Sequence, residues 1–238
     1  MRFGRISAGF LALPFIAALL AVSLRVPLGD LGDALLRSPV LVGDLAATLL
    51  RVTLTTLAAW LLGIVAAAAV WRAPGVQNLL APVVQFMRHV SPFAWFPFAI
   101  LWFGLGEAPA AFVLFTALFF PAFTAALTAF DSVPRVYREE ARTAGAGEGA
   151  IAFHVELPLL AGPLVGMLRV LWGLGWTVGV AVEMLGVRSG VGFRLMDSRY
   201  LQQHDWMIVI LLLMGVTGLL MDALLQAVEK RARDIAAD

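Results

Sequence analysis

The sequence predicts an all-α polytopic membrane protein. It reads as one transmembrane domain, residues 1–238, with about six spanning helices and a polar two-helix loop at about 132–158. Three observations predict this. First, 61% of the residues are hydrophobic and 14% are charged, with a mean hydropathy of +0.90, whereas a soluble domain carries about 25% charge. Second, apolar runs recur at the length of a bilayer crossing, about 20 residues at about 1.5 Å each. Third, the most polar stretch, "EEARTAGAGEGAIAFHVELP" from Glu139 to Pro158, has apolar runs on both sides.

The spans follow in order. Ile6 to Leu24 is free of charge. An alternative reading makes it a secretory signal, since "MRFGR" precedes the apolar run and "AVS" follows as a cleavage site. Val52 to Trp71 is the second span, closed by Arg72 and the breaker pair Pro74-Gly75. Val90 to Gly106 is the third, extended backward towards Leu79, and Ala108 to Phe130 the fourth. Leu157 to Val182 is apolar except for Arg169, and Trp206 to Met221 continues past Asp222 towards Val228. Trp60, Trp71, Trp102 and Trp206 are expected as interface anchors. The small residues of "AAWLLGIVAAAAV" and "GPLVGMLRVLWGLG" suit close packing of spans two and five.

Basic residues set the expected orientation. With both termini cytoplasmic, Arg2, Arg5, Arg72, Arg135, Arg138, Arg142, Lys230, Arg231 and Arg233 lie inside. Arg25, Arg37, Arg188, Arg194 and Arg199 lie outside, while Arg51, Arg88 and Arg169 fall in or near the membrane. The polar stretch is then cytoplasmic. It is far longer than the four to six or so residues a connector needs. "PRVYREEARTAG" is predicted as one short helix with Pro134 near its start and Gly145 at its end, and "EGAIAFHV" as a second. Two small helices about a glycine hinge make a docking surface.

The order Glu139, Ala141, Gly145, then Val155, Leu157 and Pro158 resembles the "EAA" loop of ABC-importer permease subunits, the inner-membrane components of binding-protein-dependent transport. "EEARTAGA" is similar to the "EAARTLGA" form of the nitrate, sulfonate and taurine group, with Glu140 in place of alanine and Val155 in place of isoleucine. "PFAWFPFAILWFGLGE", "AVEMLGVRSGVGF" and "LLMDALLQAVEKR" resemble further segments of that group in the same order.

The resemblance implies a bacterial inner-membrane permease that passes a small solute from an extracytoplasmic substrate-binding protein to the cytoplasm by alternating access. It also implies a second copy of the chain and two copies of a cytoplasmic ABC ATPase. ATP and magnesium would belong to that ATPase, leaving no cofactor in this chain, which carries no G-x-x-x-x-G-K-[ST] phosphate loop. The docking residues implied are Tyr137, Arg138, Glu139, Glu140, Ala141, Thr143, Gly145, Ala146, Val155, Leu157 and Pro158.

Charge inside a membrane faces a partner or a watery cavity. Arg169 and Glu183, fourteen residues apart on one helix, cannot pair with each other. Arg169 is expected to meet an anionic substrate or a carboxylate of another span, or to snorkel, and Asp222 to cap or to pair with a neighbouring helix. Pro92 and Pro97 each remove a backbone donor, and irregular backbone at membrane depth lines a cavity or is buried in protein. The candidate path therefore takes Gln85, Arg88, His89, Ser91 and Trp95, with Arg169, Trp172, Trp176, Thr177 and Glu183. An anionic cargo such as a sulfonate, nitrate or taurine follows from the subgroup and the arginines. A neutral heterocyclic cargo, and a channel-like or structural membrane subunit, are the alternatives.

Other classes are disfavoured. A net charge of +1 argues against a nucleic-acid partner. With no cysteine, and with His89, His154 and His204 far apart, neither a disulfide nor a metal site is expected. The spans show no aspartate pair or Ser/His pair for an intramembrane enzyme.

Overall fold

The computed structural model describes residues 39–237, and every regular element among them is helical. In chain order these are α1 (Pro39–Trp71), α2 (Pro74–His89), a 3-10 turn (Pro92–Trp95), α3 (Phe96–Phe103) and α4 (Glu107–Asp131). There follow α5 (Arg135–Thr143), α6 (Glu148–Ile151), a π-helical turn (Ala152–Glu156), α7 (Leu157–Gly186), α8 (Val191–Tyr200) and α9 (His204–Ala237). Four helical runs are long and apolar enough to cross a bilayer: Pro39–Trp71, Glu107–Asp131, Glu148–Gly186 and Trp206–Ala232. The expected first span, Ile6 to Leu24, lies outside the described residues.

α1 is the axis of the bundle and packs most extensively on α4, then on α7. It starts thirteen residues before the expected Val52. Its buried side chains are Leu41, Asp44, Thr48, Arg51, Val52, Thr56, Ala59, Gly63 and Ala67. They recur every three or four residues, one face of a 3.6-residue helix. Along that face the character changes. It is mostly polar up to Thr56, with Leu41 and Val52 as its apolar members, and small thereafter. The small half lets backbones approach: a Cβ on Gly63 would lie 2.7 Å from the Ala122 Cβ. In the same way Gly175 of α7 sits against Thr56 and Gly179 against Val52. Lipid is as apolar as a leucine, so this close contact, more than burial from water, holds such helices together.

The third crossing departs from expectation. Val90 to Gly106 is not a continuous helix. Trp71 stacks on Phe130 at 5.5 Å, whereas Glu107 bonds Arg51, so residues 74–106 carry the chain from one end of the bundle to the other. They do so in two pieces. α2 stops at His89, Val90 is extended, and the chain restarts in the 3-10 turn at Pro92. The two prolines explain this. Proline lacks the N–H a helix needs, and it pushes the residue before it out of helical geometry.

Two further expectations are corrected. Trp60 is no interface anchor: it lies in mid-helix and its indole N–H donates to the Leu164 carbonyl at 2.9 Å. The second short helix of the loop is not separate from span five, because α6, the π turn and α7 form one continuous run. Pro158 has no N–H for the carbonyl four residues back, and its ring crowds that turn. The widened turn at Ala152–Glu156, where the Leu157 N–H reaches the Ala152 carbonyl, accommodates it.

Candidate functional site: the loop platform and the polar groups of the bundle

α5 and α6 form a platform at the end of the bundle where α1 and α4 stop. The corner between them is built on Gly145, whose φ of +83° places it in the left-handed region. The Gly145 N–H donates to the Arg142 carbonyl and the Ala146 N–H to the Ala141 carbonyl, both at 2.9 Å. This is the paired closure that caps a helix at a left-handed glycine. α5 presents Val136, Glu139, Glu140, Thr143 and Ala144 along an open depression of about 480 Å³.

The other expected docking residues divide. Tyr137, Leu157 and Pro158 are exposed, while Ala141, Ala146 and Val155 are half-buried. Arg138 faces the bundle. Its guanidinium lies 4.8 Å from the Trp71 ring centroid, Nη2 donates to the Val133 carbonyl at 3.1 Å, and Nε is 3.8 Å from Glu156.

The far end of the bundle carries an ionic cluster centred on the buried Arg51 and Glu183, with Glu107 exposed at its edge. Arg51 of α1 donates from Nε and Nη2 to the Glu107 carboxylate, 2.8 Å each, and from Nη2 to Ser189 Oγ at 3.0 Å. Its Nη1 pairs with Glu183 of α7. The first turn of α8 joins this cluster. The backbone N–H groups of Gly190, Val191 and Gly192 donate to Asp44 Oδ1 (3.0 Å), Thr48 Oγ1 (2.9 Å) and Glu183 Oε2 (2.9 Å). These are donors that a helix start leaves without intrahelical partners, and carboxylates suit them. Arg194 Nε closes the ring on Asp44 Oδ2 at 2.7 Å.

The sequence reading placed Glu183 on the path and missed the rest of the cluster: Asp44, Thr48, Glu107, Ser189 and Arg194. One signal was legible: Asp44, Thr48 and Arg51 are spaced four and three apart, a single helical face.

The candidate path residues lie in several places. Gln85, Arg88 and His89 line one cavity of about 380 Å³, with Thr124 and Leu127 of α4 opposite. Arg88 is exposed, and His89 Nδ1 is 2.7 Å from the Gln85 carbonyl. Ser91 precedes the 3-10 turn and Trp95 ends it, and the Ser91 carbonyl accepts from the Ala94 N–H at 2.9 Å.

Arg169 is held by carboxylates of α9, bidentate to Asp222 at 2.7 and 2.8 Å and 3.4 Å from Glu229. The expected pairing of Asp222 with a neighbouring helix is thus observed. Trp172 and Trp176 are buried and stacked at 5.5 Å, and the Trp172 N–H reaches Thr53 Oγ1 at 3.2 Å. Thr177 is exposed and bonds back to the Leu174 carbonyl at 2.9 Å. No group of three or more metal-ligating side chains occurs among the described residues.

Three comparisons bear on this arrangement. Residues 59–234 match the family model described as binding-protein-dependent transport system inner membrane component. The taurine transport system permease protein TauC of Escherichia coli is 30% identical over 187 residues, covering 79% of this chain and 68% of the relative. The nitrate import permease protein NrtB of Synechocystis is 28% identical over 183 residues, 77% and 66% of the two chains. Among solved structures, a chain of the MetNI methionine ABC transporter in an inward-facing conformation superposes with a TM-score of 0.67 at 15% identity. That match covers 78% of this chain and 92% of the other, and it shows a shared fold.

Proposed function

The chain belongs to the binding-protein-dependent transport system inner membrane components, and on that premise we propose that it moves a small anionic solute by ATP-driven alternating access. An extracytoplasmic binding protein delivers the solute. Two copies of this chain form the pore, and two copies of a separate ATPase, which binds the ATP and magnesium, drive it. Both termini are cytoplasmic, so the α5–α6 platform meets the ATPase and the Arg51 cluster lies outside.

What carries the reading is the platform. α5 is nine residues long, stands clear of the bundle on its Glu139–Glu140 face, and joins a continuous 39-residue helical run through one left-handed glycine corner. A push on α5 is therefore delivered to the base of the long helix that carries Glu183 in its last turn. Rigid-body rocking of such elements opens a site to one side and then the other. In this reading the solute passes the Gln85, Arg88 and His89 cavity, close to the broken crossing.

The anion assignment rests on the nitrate named for NrtB, on the sulfonate group of the taurine named for TauC, and on Arg88, which has no carboxylate partner among the described residues. A neutral cargo is the second reading. It is favoured by Arg169, whose charge is met by Asp222 and Glu229.

The test has two parts. Glu139→Lys and Gly145→Leu should each leave the protein in the membrane while abolishing stimulation of ATPase activity by loaded binding protein. Unchanged stimulation in both variants removes the docking role. A ligand screen on the cognate binding protein, followed by uptake with Arg88→Gln and Arg169→Gln, decides the cargo. An anion should be selected, with Arg88→Gln impaired and Arg169→Gln transporting more nearly as wild type. Selection of a neutral heterocycle overturns the anion assignment and leaves the permease assignment standing.

A further inference from the structure

The face of α5 turned away from the docking depression is basic. Arg135, Arg138 and Arg142 recur at i, i+3 and i+7, one side of a helix. They look back at the end of the bundle across a recess of about 840 Å³, to which the α1–α2 junction contributes Arg72. Two of the four guanidiniums are engaged, Arg138 with Glu156 at 3.8 Å and Arg142 with Glu148 at 2.7 Å. Asp131 is the third carboxylate of the lining. Four cations thus face three anions, and among the described residues Arg72 and Arg135 have no ion pair. The Arg138 Nε is buried without a hydrogen-bond acceptor.

The recess lies at a definite depth. From Arg51 to Trp71 α1 rises about 30 Å, the thickness of a hydrocarbon core, and Trp71 and Asp131 close their helices at the same level. With Arg51 taken at the opposite boundary of the hydrocarbon core, Arg72 falls at the level of one leaflet's phosphates, next in sequence to Trp71, a residue type of the membrane interface. On the adjoining turn of α2, which contributes Gln77 to the recess, Val76 and Leu79 are exposed and apolar.

We propose that this recess binds the phosphate headgroup of an anionic glycerophospholipid, with Arg72 and Arg135 as its principal contacts and the acyl chains along α2. One phosphodiester carries one negative charge, which matches the one uncompensated cation of the lining. The bound lipid ties α5 to the end of α1 from the side opposite its docking face, so that the leaflet's composition sets how firmly the platform is held. The inference rests on the chain's place in a membrane and is independent of which solute it carries.

The experiment uses the full-length chain with its ATPase, reconstituted in nanodiscs of phosphatidylcholine alone or doped with phosphatidylglycerol. Retention of phosphatidylglycerol after exchange into detergent is counted by native mass spectrometry, and thermal protection by the same lipid is titrated. Wild type should retain the lipid. Arg72→Gln with Arg135→Gln should bind it about thirty-fold more weakly, the loss expected for two interfacial cations. Arg72→Lys with Arg135→Lys should recover most of the affinity, and Arg188→Gln at the other end of the bundle should behave as wild type. Equal retention by wild type and the double glutamine variant overturns the proposal. Protection by inorganic phosphate equal to that by the lipid overturns it in favour of a soluble anion. Loss of the ATPase without loss of lipid overturns it in favour of an acidic surface on the partner.

Discussion

The two ends of the bundle use the same side chains for opposite purposes. At the far end Arg51, Glu183 and Asp44 are buried; Arg51 and Glu183 each bond residues on two or more other segments, and Asp44 holds the start of α8 through Gly190 and Arg194. At the platform end Arg142 and Glu148 are both largely exposed and, among the described residues, form an ion pair only with each other across the glycine corner. Removing one partner of a buried, hydrogen-bonded pair leaves a charge with neither water nor a counter-ion. Removing one partner of an exposed pair leaves a charge that water takes up. The far end is therefore built to stay together, whereas the proposed docking face of the platform is exposed to solvent.

Substitutions at the two ends should separate these roles, and the largest effect belongs to Glu183. Glu183→Ala strips Arg51 of its buried partner and the first turn of α8 of an acceptor. A loss of about 3–5 kcal/mol is expected, read as a fall in melting temperature of the detergent-solubilised transporter and in membrane yield. If melting is unchanged, the cluster does not hold the four elements together.

The two glycine corners sharpen the comparison, because both carry positive φ. Gly190 stands at φ +108° and ψ 166°, a region open to little but glycine, and an added Cβ would run into the Glu183 carboxylate. Gly145 stands at φ +83° with open space around it. Gly190→Ala should therefore cost about 3 kcal/mol, the upper end for a strained backbone, because overlap adds to strain. Gly145→Ala should cost about 1–2 kcal/mol, the strain alone. Thermal unfolding of the two variants side by side checks this, and equal losses would remove the distinction between a crowded corner and an open one.

The smallest effect is expected at the exposed pair. Arg142→Ala should lower stability by less than about 1 kcal/mol, within reach of a careful melting-temperature comparison. A loss as large as that of Glu183→Ala would mean that the platform is as firmly bound as the far end.

Much of this was legible in the chain. The apolar runs place the crossings, since side chains that water rejects and lipid accepts leave a compositional signature needing no knowledge of neighbours. Gly145 and Pro158 mark the corner and the base of the long helix, because both act through the local backbone. Pro92 marks the break in the third crossing for the same reason. The loop motif could be quoted as a contiguous string, which is why its resemblance was visible.

What only the tertiary structure decided is which charges meet. Arg51 and Glu107 are 56 residues apart, Arg51 and Glu183 132, and Arg194 and Asp44 150. Arg169 could have faced solute or carboxylate, and the packing of α9 on α7 put Asp222 and Glu229 against it. Local pattern determines where a helix starts, stops and crosses, because those depend on the backbone within one or two turns. The fate of a buried charge depends on which helix lies across from it, and that is set by the approach of small residues such as Gly63, Gly175 and Gly179 to side chains far away in sequence.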